Sequence, residues 1–442
     1  MGTRTEVAGG RRMSSWLERL AARPDARFVV AITGIALLLR LILIITVERD
    51  GFAFNDMFFY HSVASMLADG KGFNTLDGRP FAQWPPGYPL LLSFVYRLTG
   101  KEPVAAECFN ALLGAAAVPL IYATALKAFG SVEAKFCAIA MALLPGQIYF
   151  ADTVLSEPLF VLLIIALLWL IATREPTRKT SIFIGLVIGF SILTRGEGPL
   201  MLFMPLAAWW PKLERKVLLE RMAIILGVAA LCVVPWTIRN YTVFHQMIPV
   251  STNFGSTFWA AHNPTANGEQ SYPGPADLAA AGPTSARDYQ IKQSEVLRKQ
   301  ANDWILAHPF EDLALVPWRI LGLTKGDSGA IYFWVNKVAK GPKPLSPEWS
   351  NRLGAIGDLG WYMLLTAFIA SIAVFGRSMM RNSVLRAIAA YLVISLLLFG
   401  FILFGQFRYH IPIEPMMVLA TAPLVAQLAA IRRRRIESQR GI

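Results

Sequence analysis

Residues 51–100 read GFAFNDMFFYHSVASMLADGKGFNTLDGRPFAQWPPGYPLLLSFVYRLTG. Just before them lies an apolar run, Phe28–Val47, long enough to cross a bilayer as a helix. Asp56 then opens a short amphipathic segment, and Pro85, Pro86 and Gly87 turn the chain back toward the apolar residues Pro89–Leu98. That second run is too short to span, which predicts a surface-lying or re-entrant helix. An acidic residue held at a lipid–water boundary is costly unless something uses it, and Asp56 is placed to act as a base on a lipid-borne substrate.

Working outward, the composition fixes the class. Of 442 residues, 55% are hydrophobic and only 16% charged, and the mean hydropathy is +0.47. With repeated long apolar runs, these values describe an all-α polytopic membrane protein. The net charge of +13 comes from basic residues gathered in short segments between the runs. That pattern reports orientation in the membrane and gives no reason to expect a nucleic-acid partner. Cys108, Cys137 and Cys232 lie in apolar runs and read as packing residues. No small-residue cleavage site follows the first run, so Phe28–Val47 reads as a retained span.

Candidate spans fall near 28–47, 104–126, 136–151, 154–173, 181–194, 198–211, 222–241, 356–375, 385–405 and 411–431, about ten in all. An even number puts both termini on one side, and the charges agree. Arg11, Arg12, Arg19, Arg23 and Arg27 precede the first span, Arg432 to Arg435 follow the last, and Lys/Arg clusters fill alternate loops. On the positive-inside rule these face the cytoplasm. Residues 1–431 then form one membrane domain and 432–442 a basic cytoplasmic tail. A first outer loop runs over 48–103 and a large outer region over 242–355, the latter with helices expected near 286–307 and 309–323. The segment 181–211, interrupted by TRGEGP, reads as a hairpin with its tip outward. No internal repeat of the transporter kind is visible.

The residues able to carry chemistry gather at the outer ends of the spans. Asp56 follows the first span, and Asp152 and Glu157 share the short turn FADTVLSEPLF. Arg195 and Glu197 occupy the hairpin tip, Arg239 and Asn240 end the seventh span, and Arg408 and His410 lie in FRYHIPIEP. Arginine is disfavoured in short outer loops. Acids and arginines converging at one lipid boundary suit a site that binds a lipid phosphate and runs acid/base chemistry beside it. Plainer readings stand next to this one. Asp56 and Asp152 are good helix N-caps, Arg195 and Arg408 can reach up to lipid headgroups, and Arg40 within the first span suits snorkelling or a buried carboxylate. His61, His245, His262 and His308 show no metal-ligand spacing. The sequence therefore requires no metal or other cofactor, while leaving room for a divalent ion held weakly by the acids. There is no P-loop and no GxGxxG fingerprint.

FNDMFFYHSVASML, PPGYPLLL, LSEPLF, LTRGEG, PWTIRNYTVFHQMIPVSTNFGSTFWAAHNPTANG and FRYHIPIEPMMVLA occur in that order. Through them the chain resembles C-type glycosyltransferases of the GT-C fold, in the bacterial branch related to protein O-mannosyltransferases and lipid A aminoarabinose transferases. The resemblance covers roughly residues 28–430. It implies a GT-C type bundle with juxtamembrane helices on its outer face and a bacterial inner-membrane location. It also implies a polyprenyl-phosphate sugar donor and transfer with inversion on the outer face, to a protein, lipid or polysaccharide acceptor.

Carried over residue by residue, the resemblance implies that Asp56 is the first-loop catalytic acid, with Asp152 and Glu157 the acids between the third and fourth spans. Arg408 and Tyr409 match the late Arg–Tyr pair, and with Arg195 and His410 they form the expected donor-phosphate set. Tyr60, Trp84, Tyr88, Arg239, Asn240, His262 and Asn263 complete the candidate substrate contacts. One departure matters. Aminoarabinose transferases carry a lysine just before the Pro-Pro turn, thought to touch the donor phosphate, and this chain has Trp84 there. Arg408 or Arg195 must then supply that charge, and lipid A aminoarabinose transfer itself is disfavoured. Two other functions stay open from sequence, a flippase or transporter of a lipid-linked sugar and a non-catalytic assembly factor.

Overall fold

A computed structural model of the chain describes residues 24–46, 52, 55–279, 282, 288–332 and 346–439. The N-terminal arginines 11, 12, 19 and 23 and the last three residues of the basic tail lie outside the described residues. The described chain is helical, with one isolated antiparallel bridge, Asn74 to Pro80. The helices are α1 (Pro24–Thr46), α2 (Asn55–Ala68), α3 (Gly87–Thr99), α4 (Pro103–Ala128), α5 (Ser131–Leu143), α6 (Pro145–Tyr149), α7 (Glu157–Thr173), α8 (Arg178–Thr194) and α9 (Phe203–Trp209). They continue as α10 (Arg215–Phe244), α11 (Phe254–Ala261), α12 (Pro275–Ala279), α13 (Tyr289–Ala307), α14 (Pro309–Ala314), α15 (Val316–Gly322), α16 (Pro347–Met379), α17 (Ser383–Phe401) and α18 (Glu414–Gln439).

Six of these are long and apolar enough to cross a bilayer, namely α1, α4, α10, α16, α17 and α18. Several carry large apolar side chains outward, such as Val30 and Ile45 on α1, Leu231 on α10 and Leu359 and Met363 on α16. Outward apolar faces of that extent suit lipid rather than water. The chain is a multi-pass membrane protein.

The expected third span, 136–151, is bent. α5 and the segment Pro145–Asp152 meet at 51°. Pro145 has no N–H to continue the helix, so the break falls at Leu144. The expected sixth span is a 3-10 turn, Gly198–Leu202, followed by the short α9. Gly198–Trp209, at about 1.5 Å per residue, is too short to cross. The helix expected near 309–323 is split at Leu315 into α14 and α15.

The core lies between α4, α5, α7, α8, α17 and α18. α7 is its centre, with Phe160, Val161, Ile164, Ile165, Leu167 and Leu168 all buried. A helix apolar all round belongs inside the bundle. Because it starts deep, its first residue, Glu157, is fully buried. Arg40 is buried too, and it neither snorkels nor is placed for substrate. Its guanidinium donates to Ala36 O at 2.8 Å and to the last carbonyls of α5, Met141 and Ala142, each at 3.5 Å. A cation there satisfies helix-end carbonyls that have no partner within the helix.

Outside the bundle, the loop between α2 and α3 is tied to α10. Arg239 donates to Phe73 O at 2.7 Å, Phe81 O at 2.9 Å and Asn240 Oδ1 at 3.0 Å, and lies 4.8 Å over the Trp236 ring. Asn240 in turn donates to Ile248 O. A second tie uses Arg319, which donates to Asp312 Oδ1 at 2.7 Å and Ala261 O at 2.8 Å, while His262 Nδ1 meets the same carboxylate oxygen at 2.7 Å. Arg319 is fully buried, so its replacement by alanine leaves Asp312 with His262 alone and opens a buried space, and it is expected to lower stability by up to about 3 kcal/mol. Thermal unfolding in detergent checks this. An unchanged midpoint would show that the tie carries little.

The Asp312 carboxyl is held below the ordinary aspartate range. Burial pushes it up, and the His262 and Arg319 contacts outweigh that. Its contribution is therefore present above about pH 4 and is lost as pH falls through the lowered value.

Candidate active site

The site is built from the first turns of two helices, the end of a third and one 3-10 turn. Asp56 stands in the first turn of α2, Glu157 begins α7, Arg195 caps the C-terminus of α8, and Arg408 lies in the turn Phe407–His410. Acids at helix starts and an arginine at a helix end each face the dipole they suit. Gly87 lets the first loop close on this assembly. A Cβ there would meet Leu193 O and Thr194 Oγ1 at 2.8 Å, at the end of α8, which gives the Pro-Pro-Gly turn a packing reason. Trp84 joins that turn to α2, stacked on Phe59 at 5.1 Å and Phe81 at 5.6 Å.

The four side chains form one chain of ion pairs with a fifth, Glu197. Arg408 Nη1 meets Asp56 Oδ2 at 2.6 Å, and Arg408 Nε donates to Glu157 Oε1. Arg195 Nη1 lies 2.8 Å from the same Glu157 oxygen, and Arg195 forks onto Glu197 at 3.1 and 3.2 Å. Ser156 Oγ is 3.4 Å from Arg195 Nη1. Exposure is graded along the chain. The Glu157 side chain is 0% exposed, Arg195 7%, Arg408 12% and Asp56 19%. Asp56 and the Arg408 head can meet a ligand, whereas Glu157 is the internal anchor on which both arginines rest. Both arginines are held above the ordinary guanidinium range, because burial lowers each and the neighbouring carboxylates more than make up for it.

The remaining predicted residues fall into groups. Tyr60 is buried one turn beyond Asp56, edge-on to Tyr88 at 5.3 Å. Asp152 is buried at the end of the 3-10 turn that follows α6. Tyr409 stacks on Phe399 at 4.6 Å. Asn263 is taken up by its own loop, donating to Trp259 O and accepting from Thr265. Arg239, Asn240 and His262 serve the two ties described above. Tyr272, in the region 242–355, is largely exposed, and its phenol is pushed up by partial desolvation and then by the charge of Asp56. No motif marked it.

His410 belongs to a separate buried cluster. Its Nε2 lies 2.8 Å from Asp327 Oδ1 and 3.9 Å from Glu414 Oε1. Among the described residues, Asp327, His410 and Glu414 are the one group placed to hold a metal ion. A search for paired histidines and cysteines did not find it. The usable signal was the spacing of His410 and Glu414, four residues apart at the start of a helix.

In fold the chain is similar to solved membrane oligosaccharyltransferases. Over residues 83–238, from the Pro-Pro-Gly turn to the end of α10, it matches the family model of dolichyl-phosphate-mannose-protein mannosyltransferases. The structure is similar to that of the archaeal oligosaccharyltransferase AglB from Archaeoglobus fulgidus, solved with an inhibitory peptide and a dolichol-phosphate. That match has a TM-score of 0.51 at 14% identity, covering 93% of this chain and 52% of the other. The same protein with a tethered acceptor peptide gives 0.52, and with Zn and sulfate 0.51. ArnT from Cupriavidus metallidurans, solved with undecaprenyl phosphate, gives 0.43 at 16% identity, covering 90% of this chain and 76% of that one. This chain spans about half the length of the oligosaccharyltransferase. No protein of curated function matches in sequence.

Proposed function

We propose that this protein is an inverting glycosyltransferase that moves a sugar from a polyprenyl-phosphate donor to an acceptor hydroxyl at the outer face of a bacterial inner membrane, with both termini cytoplasmic. The observation that carries the reading is the ion-pair chain from Asp56 through Arg408 and Glu157 to Arg195, buried at one end and reachable at the other. Arg408, with Arg195 behind it, neutralises the phosphate as the glycosidic bond breaks, so that positive charge is in place where negative charge develops. Asp56 takes the acceptor proton. Asp56 is paired to Arg408 at 2.6 Å. A donor phosphate competes for that guanidinium and releases the carboxylate to act as base. Glu157 is a positioning residue, holding both arginines from beneath. Asp152, buried at the end of the 3-10 turn five residues before Glu157, is the further candidate acid. Three acids face two arginines in this chain, an excess that leaves room for a weakly held divalent ion beside the phosphate.

The test is release of free polyprenyl phosphate from a panel of polyprenyl-phosphate sugars by purified protein, with cell envelope supplied as acceptor. Asp56-dependent release supports the reading and identifies the sugar. Donor binding without release by wild type or Asp56→Asn turns the assignment to transport.

A further inference from the structure

Two segments remote in sequence meet at Gly146. Asp327 comes from the turn after α15, His410 ends the 3-10 turn that carries Arg408, and Glu414 starts α18. All three side chains are buried. The Leu323 carbonyl, 2.9 Å from His410 Nδ1, can only accept, so Nδ1 carries a ring hydrogen and Nε2 is the ring atom turned into the cluster. It lies 2.8 Å from Asp327 Oδ1. Asp327 Oδ2 and Glu414 Oε1 are buried without a hydrogen-bond partner. Both lie 2.7 Å from the point where a Gly146 Cβ would stand. One donor reaches the cluster, the Gln147 amide, 2.8 Å from Glu414 Oε2 and also 2.8 Å from Ile411 O. Carboxylate oxygens thus converge on a space where two of them have no donor, and both carboxylates lie out of water. A positive species between them resolves both problems.

We propose that this space holds a divalent first-row metal ion, with His410 Nε2, Asp327 and Glu414 as ligands. The four ligand atoms of a tetrahedral Zn²⁺ site stand about 3.3 Å apart, and the 2.8 and 3.9 Å separations around His410 bracket that value. The outer shell is in place as well. A ligating histidine is usually oriented by giving its other N–H to a carbonyl or carboxylate, and a ligating carboxylate by a hydrogen bond, the parts played by Leu323 O and Gln147. Trp361 stacks on the imidazole at 3.7 Å and fixes its plane. Such an ion would clamp α6, the outer region and the start of α18 together, two residues from Arg408. Its effect on turnover rests on the transferase reading. Its presence does not.

The experiment is metal analysis of the full-length protein in detergent, followed by chelation and titration with Zn²⁺ and Co²⁺. We expect one ion per chain, a visible Co²⁺ absorption of tetrahedral type, and a fall in the unfolding midpoint on chelation that Zn²⁺ reverses. His410→Ala should abolish binding. Gln147→Ala, which removes no ligand, should weaken it about 10- to 100-fold. Asp56→Asn should keep the ion whether or not it retains activity. The proposal is overturned if chelated wild-type protein takes up neither ion, since the carboxyls would then share protons instead. Equal metal content in His410→Ala and wild type, or loss in Asp56→Asn, would place the ion elsewhere and overturn it too.

Discussion

Asparagine at position 56 is expected to lower turnover by about 10²- to 10⁴-fold, the range that a positioned general base supplies, while leaving donor binding within a few-fold of wild type. The substitution keeps side-chain size, and asparagine caps a helix start about as well as aspartate, so α2 should form normally. The lost pair with Arg408 lies at the more accessible end of the chain, with side chains 12% and 19% accessible, and Arg408 keeps Glu157 as its partner, so the loss should cost less than breaking a fully buried pair. A large loss of rate with little loss of stability therefore isolates the proton-transfer role. Single-turnover release of polyprenyl phosphate, set beside donor binding by the same preparation, checks it. Turnover within about ten-fold of wild type would remove Asp56 from the chemistry.

The membrane class and the gathering of Asp56, Glu157, Arg195 and Arg408 at the ends of their helices were legible in the sequence for physical reasons. Apolar runs of bilayer length and basic loops on alternate sides leave few threadings, and arginine in a short outer loop is conspicuous in any of them. What hydropathy does not carry is whether a run stays one helix. Residues 136–151 are apolar except for Gln147, yet Pro145 breaks them, and the run 198–211 is apolar but too short once its first turn becomes 3-10. Pairing was also beyond reach. Glu157 and Arg408 are far apart in sequence, and only the fold puts Asp56 and Glu157 on the same guanidinium. Arg239 and His262 show the opposite case. Their residue types suit a sugar site, but their hydrogen bonds go to the chain's own carbonyls and to Asp312. Asp327 has no motif around it at all, and its meeting with His410 depends wholly on how α18 docks.

Removing Arg408 is expected to act on rate more than on fold, and the ion-pair chain explains the difference. In Arg408→Ala, Glu157 stays paired with Arg195 at 2.8 Å, so no buried carboxylate is stranded. What disappears is the cation at the reachable end, and the loss of one such preorganised group costs about 10²- to 10³-fold in turnover, with weaker donor binding in addition. Lysine should recover little of this, because one ammonium cannot repeat the fork that serves Asp56 and Glu157 together. Glu157→Gln should behave in the reverse order. It leaves two arginines without their shared carboxylate inside the protein, and breaking a buried pair in that way costs about 3–5 kcal/mol, so unfolding should precede any clean kinetic effect. Comparing the thermal midpoints and donor affinities of the two variants separates anchor from ligand contact. If Arg408→Ala unfolds as readily as Glu157→Gln while still binding donor at wild-type affinity, Arg408 is a structural strut and the phosphate must be met elsewhere, with Arg195 next in line.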